Sequence, residues 1–234
     1  MSELIIAVDV REEGKLNDLL SALQGQPVWI KLGFESLYAF GLPLVERVRS
    51  RGFKVFADVK LHDIPNTVGA ASRVVARSGA SLFNVHCAGG HAMCAAAVQE
   101  SSEEAARLGL PRPLVVGVTI LTSLAAEDVT AVGYSGTPAQ AAVRLARVGH
   151  GAGLDGVVCS VQEAAGIKIA CGAEFLAVCP GIRPSGADAQ DQKRVATPRD
   201  AVEAGADFLV VGRPVTGAAD PTAACAAILL EMGR

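Results

Sequence analysis

The segment KVFADVKLHDIPNTVGAASRVVARSG, residues 54–79, decides the fold because a buried strand leads directly into a helix within it. An apolar run over 54–60 carries Asp58 and Lys60 at its carboxyl end, and Asp63 follows in the turn. The stretch after this turn, 66–79, has helical spacing and ends in Gly, as helices often do. The segment therefore predicts one strand–helix unit with charges where the strand ends.

The same unit recurs along the chain. Between the strands lie Ala-rich stretches with helical spacing, among them residues 14–24, 35–51, 66–79, 94–109, 138–149 and 198–205. The candidate strands are residues 4–10, 28–33, 54–60, 81–88, 114–121, 156–160, 174–181 and 207–213.

Near-continuous apolar strands that alternate with helices indicate a parallel sheet whose outer face is covered by the helices. Eight such units in 234 residues predict an α/β fold, a (β/α)8 TIM barrel that forms a single domain over residues 1–234. An open, doubly wound sheet is the alternative. It is disfavoured because no G-x-G-x-x-G follows the first strand.

Composition excludes several classes of protein. With 21 Lys and Arg against 24 Asp and Glu, the net charge is -3, and no basic stripe favours nucleic acid. The apolar runs are shorter than the roughly 18 to 20 residues that cross a bilayer, and the first ten residues do not resemble a signal peptide. Six scattered cysteines lack metal-ligand spacing and predict buried free thiols in a reducing compartment. We expect a soluble, cytoplasmic protein.

Polar residues cluster at the carboxyl ends of the predicted strands. In a barrel these ends meet at one mouth, where active sites lie. Asp58 and Lys60 are two residues apart in a strand and should share a face, with Asp9 and Lys31 beside them on neighbouring strands. Asn84 and His86 end the fourth strand, and the four histidines are predicted to have packing or hydrogen-bonding roles. A structural ion-pair cluster is the alternative reading, although buried ion pairs seldom offset their desolvation.

Two arginines narrow the class of ligand. Arg183 follows the seventh strand and Arg213 the eighth, the two loops where barrels commonly bind phosphate. Gly212 would let an anion approach the backbone closely. The long irregular segment 181–198 predicts a lid or binding loop. A phosphate ester is therefore the expected ligand.

The order of short motifs adds a family resemblance. IKLG (30–33), DVKLHDIPNT (58–67), LTS (121–123), PGIRP (180–184), DQKRV (191–195) and VVGRP (210–214) together resemble the orotidine 5'-phosphate decarboxylases. The resemblance covers essentially the whole chain. It implies cofactor-independent decarboxylation of orotidine 5'-monophosphate to UMP, in a homodimeric barrel that shares its active sites between subunits and needs neither metal nor organic cofactor.

The resemblance also implies roles for individual residues. Lys31, Asp58, Lys60 and Asp63 match the family's charged tetrad, with Lys60 as proton donor and Asp63 supplied to the partner's site. Asp9 and Lys31 match contacts to the ribose, and Thr67 reaches across the dimer with Asp63. Thr122 matches a contact to the pyrimidine. The substrate contacts at the phosphate end are Arg183, Gln192, Gly212 and Arg213.

Two rival functions remain open at this point. A metal-dependent member of the same superfamily, such as a hexulose phosphate synthase, shares D-x-K-x-x-D but carries a metal-ligating Glu on strand two, where this chain has Lys31. A noncatalytic barrel that binds a phosphorylated nucleotide is the second rival. It would have no use for Lys60 between two carboxylates.

Overall fold

The computed structural model describes residues 1–184 and 196–234, and eight parallel strands close into a barrel. Each strand pairs with the next along the chain, and β8 returns to pair with β1, in the register Leu4 with Leu209 and Ile5 with Val210. The closure rules out an open doubly wound sheet and confirms the predicted barrel. The strands are β1 Glu3–Ala7, β2 Val28–Leu32, β3 Lys54–Leu61, β4 Leu82–His86, β5 Leu114–Val118, β6 Gly156–Val158, β7 Leu176–Cys179 and β8 Phe208–Val211.

Helices lie between the strands throughout the described part of the chain. A short 3-10 turn, Cys87–Gly89, follows β4. The α-helices are α1 Glu13–Ala22, α2 Phe34–Phe40, α3 Pro43–Arg49, α4 Pro65–Arg77, α5 Gly90–Leu108, α6 Ala126–Ala131, α7 Pro138–Gly151, α8 Val161–Cys171, α9 Pro198–Glu203, α10 Arg213–Thr216 and α11 Pro221–Glu231.

The predicted helix 35–51 is wrong as one element, because the structure forms two helices there. Gly41 has φ +74°, a left-handed conformation that ends α2. Pro43 then occupies the first position of α3, where its fixed φ and missing N–H are tolerated. The connection between β2 and β3 therefore contains two short helices instead of one continuous helix.

Helix starts are marked by local hydrogen bonds that the sequence encodes. Thr137 caps α7 by accepting from the backbone N–H of Gln140, whose side chain accepts from the backbone N–H of Thr137 in return. Asp220 caps α11 in a similar way by accepting from the N–H of Ala223. These contacts mark the first turns of α7 and α11.

Two apolar layers hold the barrel together. The larger lies between the sheet and the helices and includes all six cysteines, which are buried free thiols as predicted. A smaller inner cluster fills the barrel itself, and its side chains come from alternate positions of the strands. The inner cluster consists of Ile5, Trp29, Phe56, Leu82, Val116, Val178, Phe208 and Val210. In the described residues, no helix has the length and apolar character required to cross a membrane.

Candidate active site

A cavity of about 590 Å³ opens at the carboxyl ends of the strands, above the inner cluster. Its walls combine apolar residues, such as Ile120 and Pro180, with charged ones. The predicted site residues that line it are Asp9, Lys31, Asp58, Lys60, Thr122, Arg183, Gly212 and Arg213. The barrel therefore brings together residues from six of its eight strands or the loops that follow them.

Strand periodicity explains why the charged side chains face this cavity. Successive residues of a strand point to opposite faces, so positions two apart share a face. Phe56 belongs to the inner cluster, and Asp58 follows it by two residues on β3. The same step leads from Trp29 to Lys31 on β2 and from Leu82 to Asn84 on β4.

A chain of ion pairs with alternating sign runs across the floor of the cavity. Lys31 Nζ lies 3.2 Å from Asp9 Oδ2 and 2.9 Å from Asp58 Oδ2. The other oxygen of Asp58, Oδ1, lies 2.5 Å from Lys60 Nζ. Asp9 lies two residues beyond the end of β1, although the sequence predicted it within the strand. The structure thus places four of the predicted charged residues in one continuous network.

β3 contains both Asp58 and Lys60, as predicted, but its pairing is irregular at these residues. The pairing of β3 with β4 shifts register between Ala57 and Leu61. Within that shift Lys60 has φ +46°, and it is the one residue other than glycine with positive φ in residues 1–184 and 196–234. The two side chains meet where the backbone between them is irregular.

Asn84 links the irregular backbone to the ion pairs. Its Oδ1 accepts from the backbone N–H of Lys60 at 2.7 Å. Its Nδ2 donates to Asp58 Oδ1, also at 2.7 Å. Asn84 is 1% exposed. The sequence placed Asn84 at the mouth, but only the folded chain assigns it these two partners.

Burial and ion pairing oppose each other at Asp58 and Lys31. Burial raises the pKa of Asp58, but attraction to Lys31 and Lys60 outweighs it and brings that pKa from 3.8 to about 2. Burial likewise lowers the pKa of Lys31, but Asp58 and Asp9 outweigh it and hold that pKa above its ordinary value. Both side chains are therefore charged at neutral pH.

The residues predicted at the phosphate end follow β7 and β8. Arg183 is 7% exposed, and its Nη1 donates to the carbonyl of Ile182 at 3.0 Å. Arg213 begins α10, directly after Gly212. Among the described residues, a Cβ at position 212 would have Ala7 Cβ as its nearest neighbour, at 3.6 Å, so their packing does not require glycine there. Gln192 and most of the predicted lid lie outside the described residues.

Asp63 and Thr67 lie apart from the cavity of their own chain. Both are exposed, and neither lines the cavity as the described residues form it. Asp63 Oδ1 accepts from the backbone N–H of Ile64 at 2.7 Å, and Thr67 lies in the first turn of α4. Ile64 is 66% exposed between them.

Two residues at the mouth were missed by the sequence analysis. Lys60 Nζ lies 4.9 Å from the centre of the Phe34 ring, a cation–π contact across the mouth. Glu35 lines the cavity and pairs with Arg11 Nε at 2.8 Å. Phe34 and Glu35 are the first two residues of α2, directly after the IKLG motif. Their position just after a strand end could have identified them as residues of the mouth.

The histidines near the mouth pack against each other. The rings of His62 and His86 are stacked with centres 5.2 Å apart. Burial lowers the pKa of His86, and His62 and Lys60 lower it further. Within the described ranges, no group of three or more His, Cys, Asp or Glu side chains has the geometry to hold a metal ion.

Curated relatives resemble this chain over nearly its whole length. The family model described as Orotidine 5'-phosphate decarboxylase / HUMPS family matches residues 2–228. Orotidine 5'-phosphate decarboxylase of Nitratidesulfovibrio vulgaris (strain DP4) is 48% identical over 233 residues, which cover 99% of this chain and 98% of that protein. The protein of the same name from Hydrogenovibrio crunogenus is 45% identical, with coverage of 99% and 96%.

Solved structures show the same architecture. The crystal structure of orotidine 5'-phosphate decarboxylase from Lactobacillus acidophilus has a TM-score of 0.88 at 35% identity and covers 100% of both chains. That of an uncharacterized conserved protein from Geobacillus kaustophilus has a TM-score of 0.85 at 38% identity and covers 98% of this chain and 99% of the other.

Proposed function

The chain belongs to the orotidine 5'-phosphate decarboxylase / HUMPS family, and on that premise we propose that it decarboxylates orotidine 5'-monophosphate to UMP in pyrimidine biosynthesis. The observation that carries the proposal is the network Asp9–Lys31–Asp58–Lys60 on the floor of the cavity. The decarboxylases among its relatives, 43 to 48% identical, support the same reaction.

The chemistry explains why such a network is needed. When the bond between C6 of the pyrimidine and its carboxylate breaks, the electron pair stays on C6 in an orbital in the plane of the ring. The π system of the ring cannot delocalise that pair. Fixed charges that are already oriented toward the reacting atom can stabilise it, and they act most strongly where water is excluded. We expect the reaction to need no metal and no organic cofactor.

Lys60 is the residue that we assign to the carbanion. Its ammonium group would stabilise the developing negative charge at C6 and then transfer a proton to that carbon. The amine left behind recovers a proton from solvent. Phe34 and Asp58 limit where the ammonium group can lie, because both contact Nζ.

Asp58 and Lys31 support this step in different ways. Asp58 would lie beside the substrate carboxylate, and the repulsion between them is relieved as CO2 leaves. Lys31 holds Asp58 ionised and oriented through a 2.9 Å ion pair. A Lys at this place on β2 also favours a metal-independent reaction, because a cation there would repel Mg²⁺.

The remaining contacts would hold the substrate. Asp9 and Lys31 would bind the ribose hydroxyls, and Thr122 the pyrimidine. The phosphate end would be formed by Arg183, Gln192, Gly212 and Arg213. Because Gly212 has no Cβ, a phosphate group could approach the backbone there closely. Binding energy from this remote group would orient the ring at Lys60.

A homodimer would complete each site, with Asp63 and Thr67 contributed by the other subunit. Two observations support this. Both side chains are exposed outside the cavity of their own chain, and the neighbouring Ile64 is an exposed apolar residue. A second carboxylate from the partner would place Lys60 between two acids. We propose the cytoplasm as the location of the enzyme.

The decisive experiment follows the absorbance of the pyrimidine as purified protein acts on orotidine 5'-monophosphate, with and without EDTA. We expect conversion to UMP at the same rate in both. Activity that EDTA abolishes and Mg²⁺ restores would instead support a metal-dependent superfamily member. Binding of UMP without any turnover of orotidine 5'-monophosphate would support the noncatalytic barrel.

A further inference from the structure

We propose that Asn84 is a positioning residue that sets the backbone and the charge partner of Lys60 at the same time. The inference rests on the proposed function, since it concerns how the catalytic ammonium group is aimed. It is drawn from four observations: the left-handed φ of Lys60, the register shift, the two hydrogen bonds of Asn84 and its burial.

The backbone at Lys60 needs an external restraint. A left-handed conformation costs a non-glycine residue roughly 1–2 kcal/mol, and Lys has no short polar side chain to stabilise it locally. Such conformations persist only where surrounding contacts determine them. The backbone N–H of Lys60 donates to Asn84 Oδ1 at 2.7 Å, a bond between residues on adjacent strands. This bond restrains the backbone of Lys60 within the register shift.

The NH2 group of the same Asn84 amide contacts the carboxylate that pairs with Lys60. Asn84 Nδ2 donates to Asp58 Oδ1, the oxygen that also accepts from Lys60 Nζ. Asn84 therefore fixes where the Lys60 side chain begins and where the partner of its ammonium group lies. A side chain that has both a donor and an acceptor is needed for this, and asparagine supplies both on one short stem.

The variant Asn84→Asp separates the two functions of the amide. A carboxylate at this position can still accept a hydrogen bond from the Lys60 N–H. It cannot donate one to Asp58, and its negative charge repels the Asp58 carboxylate. A protonated carboxyl regains a donor. On β3, residue 84 faces Asp58 and Lys60. On its own strand the nearest titratable group is His86, on which His62 is stacked. On β5 it pairs with Val116, which carries no charge.

The test measures kcat and KM of Asn84→Asp and Asn84→Leu against wild type between pH 5.5 and 8.5. At pH 8 we expect kcat to fall by about 100-fold or more in both variants, as a misplaced catalytic group would cause. KM should change by less than about threefold.

The pH dependence separates the two variants. As the pH falls, the kcat of Asn84→Asp should recover at least about tenfold relative to wild type, whereas that of Asn84→Leu should not. Ser72→Ala, which removes another buried hydrogen bond, is the control for a structural effect alone.

Crystal structures of the two variants give a readout that does not depend on activity. In Asn84→Leu we expect Lys60 to leave the left-handed region and its Nζ to move away from Asp58. An unchanged Lys60, or a pH profile of Asn84→Asp parallel to that of wild type, would overturn the proposal. Inactive wild-type protein would count against the proposed function alone, because the crystal structures would still decide the role of Asn84.

Discussion

Lys60 Nζ lies 2.5 Å from Asp58 Oδ1, although the backbone between the two residues is not a regular strand. The contact joins a buried carboxylate to the more exposed of the two lysines in the network, with 10% and 26% of their side chains accessible. The Lys60 ammonium group is therefore held in place by an ion pair and open to a ligand in the cavity.

Lys60→Ala tests the proposed proton donor. We expect decarboxylation to fall by at least about 10⁴-fold, because both stabilisation of the carbanion and its protonation are lost. Lys54→Ala is the matched control, since Lys54 lies on the same strand at the opposite end from the cavity. Steady-state rates and circular dichroism measure the two variants. Near-normal turnover by folded Lys60→Ala would contradict the mechanism.

Mixed dimers test the shared site. A dimer of one Lys60→Ala chain and one Asp63→Asn chain would keep one site with both wild-type residues, so mixing the inactive variants should restore part of the activity. Lys60→Ala mixed with Asp58→Asn is the control, because each site then loses a residue from its own chain. Equal recovery in both mixtures, or none in either, would count against Asp63 acting across the interface.

Gly33→Ala tests whether the position of the Asp9 carboxylate matters for substrate binding. A Cβ at this position would lie 2.2 Å from Asp9 Oδ1 and 3.0 Å from Lys31 Nζ. The flexible carboxylate can move aside, so we expect at most about 1 kcal/mol of lost stability but at least about tenfold weaker substrate binding. Gly14→Ala is the control, with open space around the added methyl group. Substrate affinity unchanged in Gly33→Ala would remove Asp9 from the proposed ribose contacts.

Acid should weaken the stabilisation that Asp58 provides. Folding lowers the pKa of Asp58 from 3.8 to about 2, so its charged form stabilises the folded protein above pH 4. That contribution is lost as the pH falls from about 4 to about 2. Measured by denaturant unfolding, the difference in stability between wild type and Asp58→Asn should shrink by about 2 kcal/mol over this window. A difference that stays constant would show that Asp58 has an ordinary pKa in the folded state.

Arg213→Ala tests the phosphate end. If Arg213 binds phosphate, the variant should lose about 100-fold or more in kcat/KM on orotidine 5'-monophosphate. The slow reaction of the nucleoside orotidine, which has no phosphate, should change less than about threefold. Arg199→Ala, an exposed arginine on α9, should leave both substrates unaffected. Equal losses on the two substrates would mean that Arg213 does not act through the phosphate.

Much of the site could be inferred from local pattern. Lys31 and Asp58 follow inner-cluster residues by two positions, so strand periodicity predicts that they face the cavity. The split of the predicted helix 35–51 was also encoded locally, by Gly41 and Pro43, but the helical spacing on either side concealed it. The contacts of Asn84 had no such signal, because its partners lie on another strand.

The sequence by itself determined the closed barrel and the end of it that carries the charges. Both follow from short-range periodicity: alternation within strands, helical spacing between them, and polar residues where each strand stops. Only the tertiary structure decided the left-handed backbone of Lys60 and its hydrogen bond to Asn84, 24 residues away. The physical reason is that strained backbone is stabilised by contacts from outside its own segment. Such contacts exist only once neighbouring strands have paired.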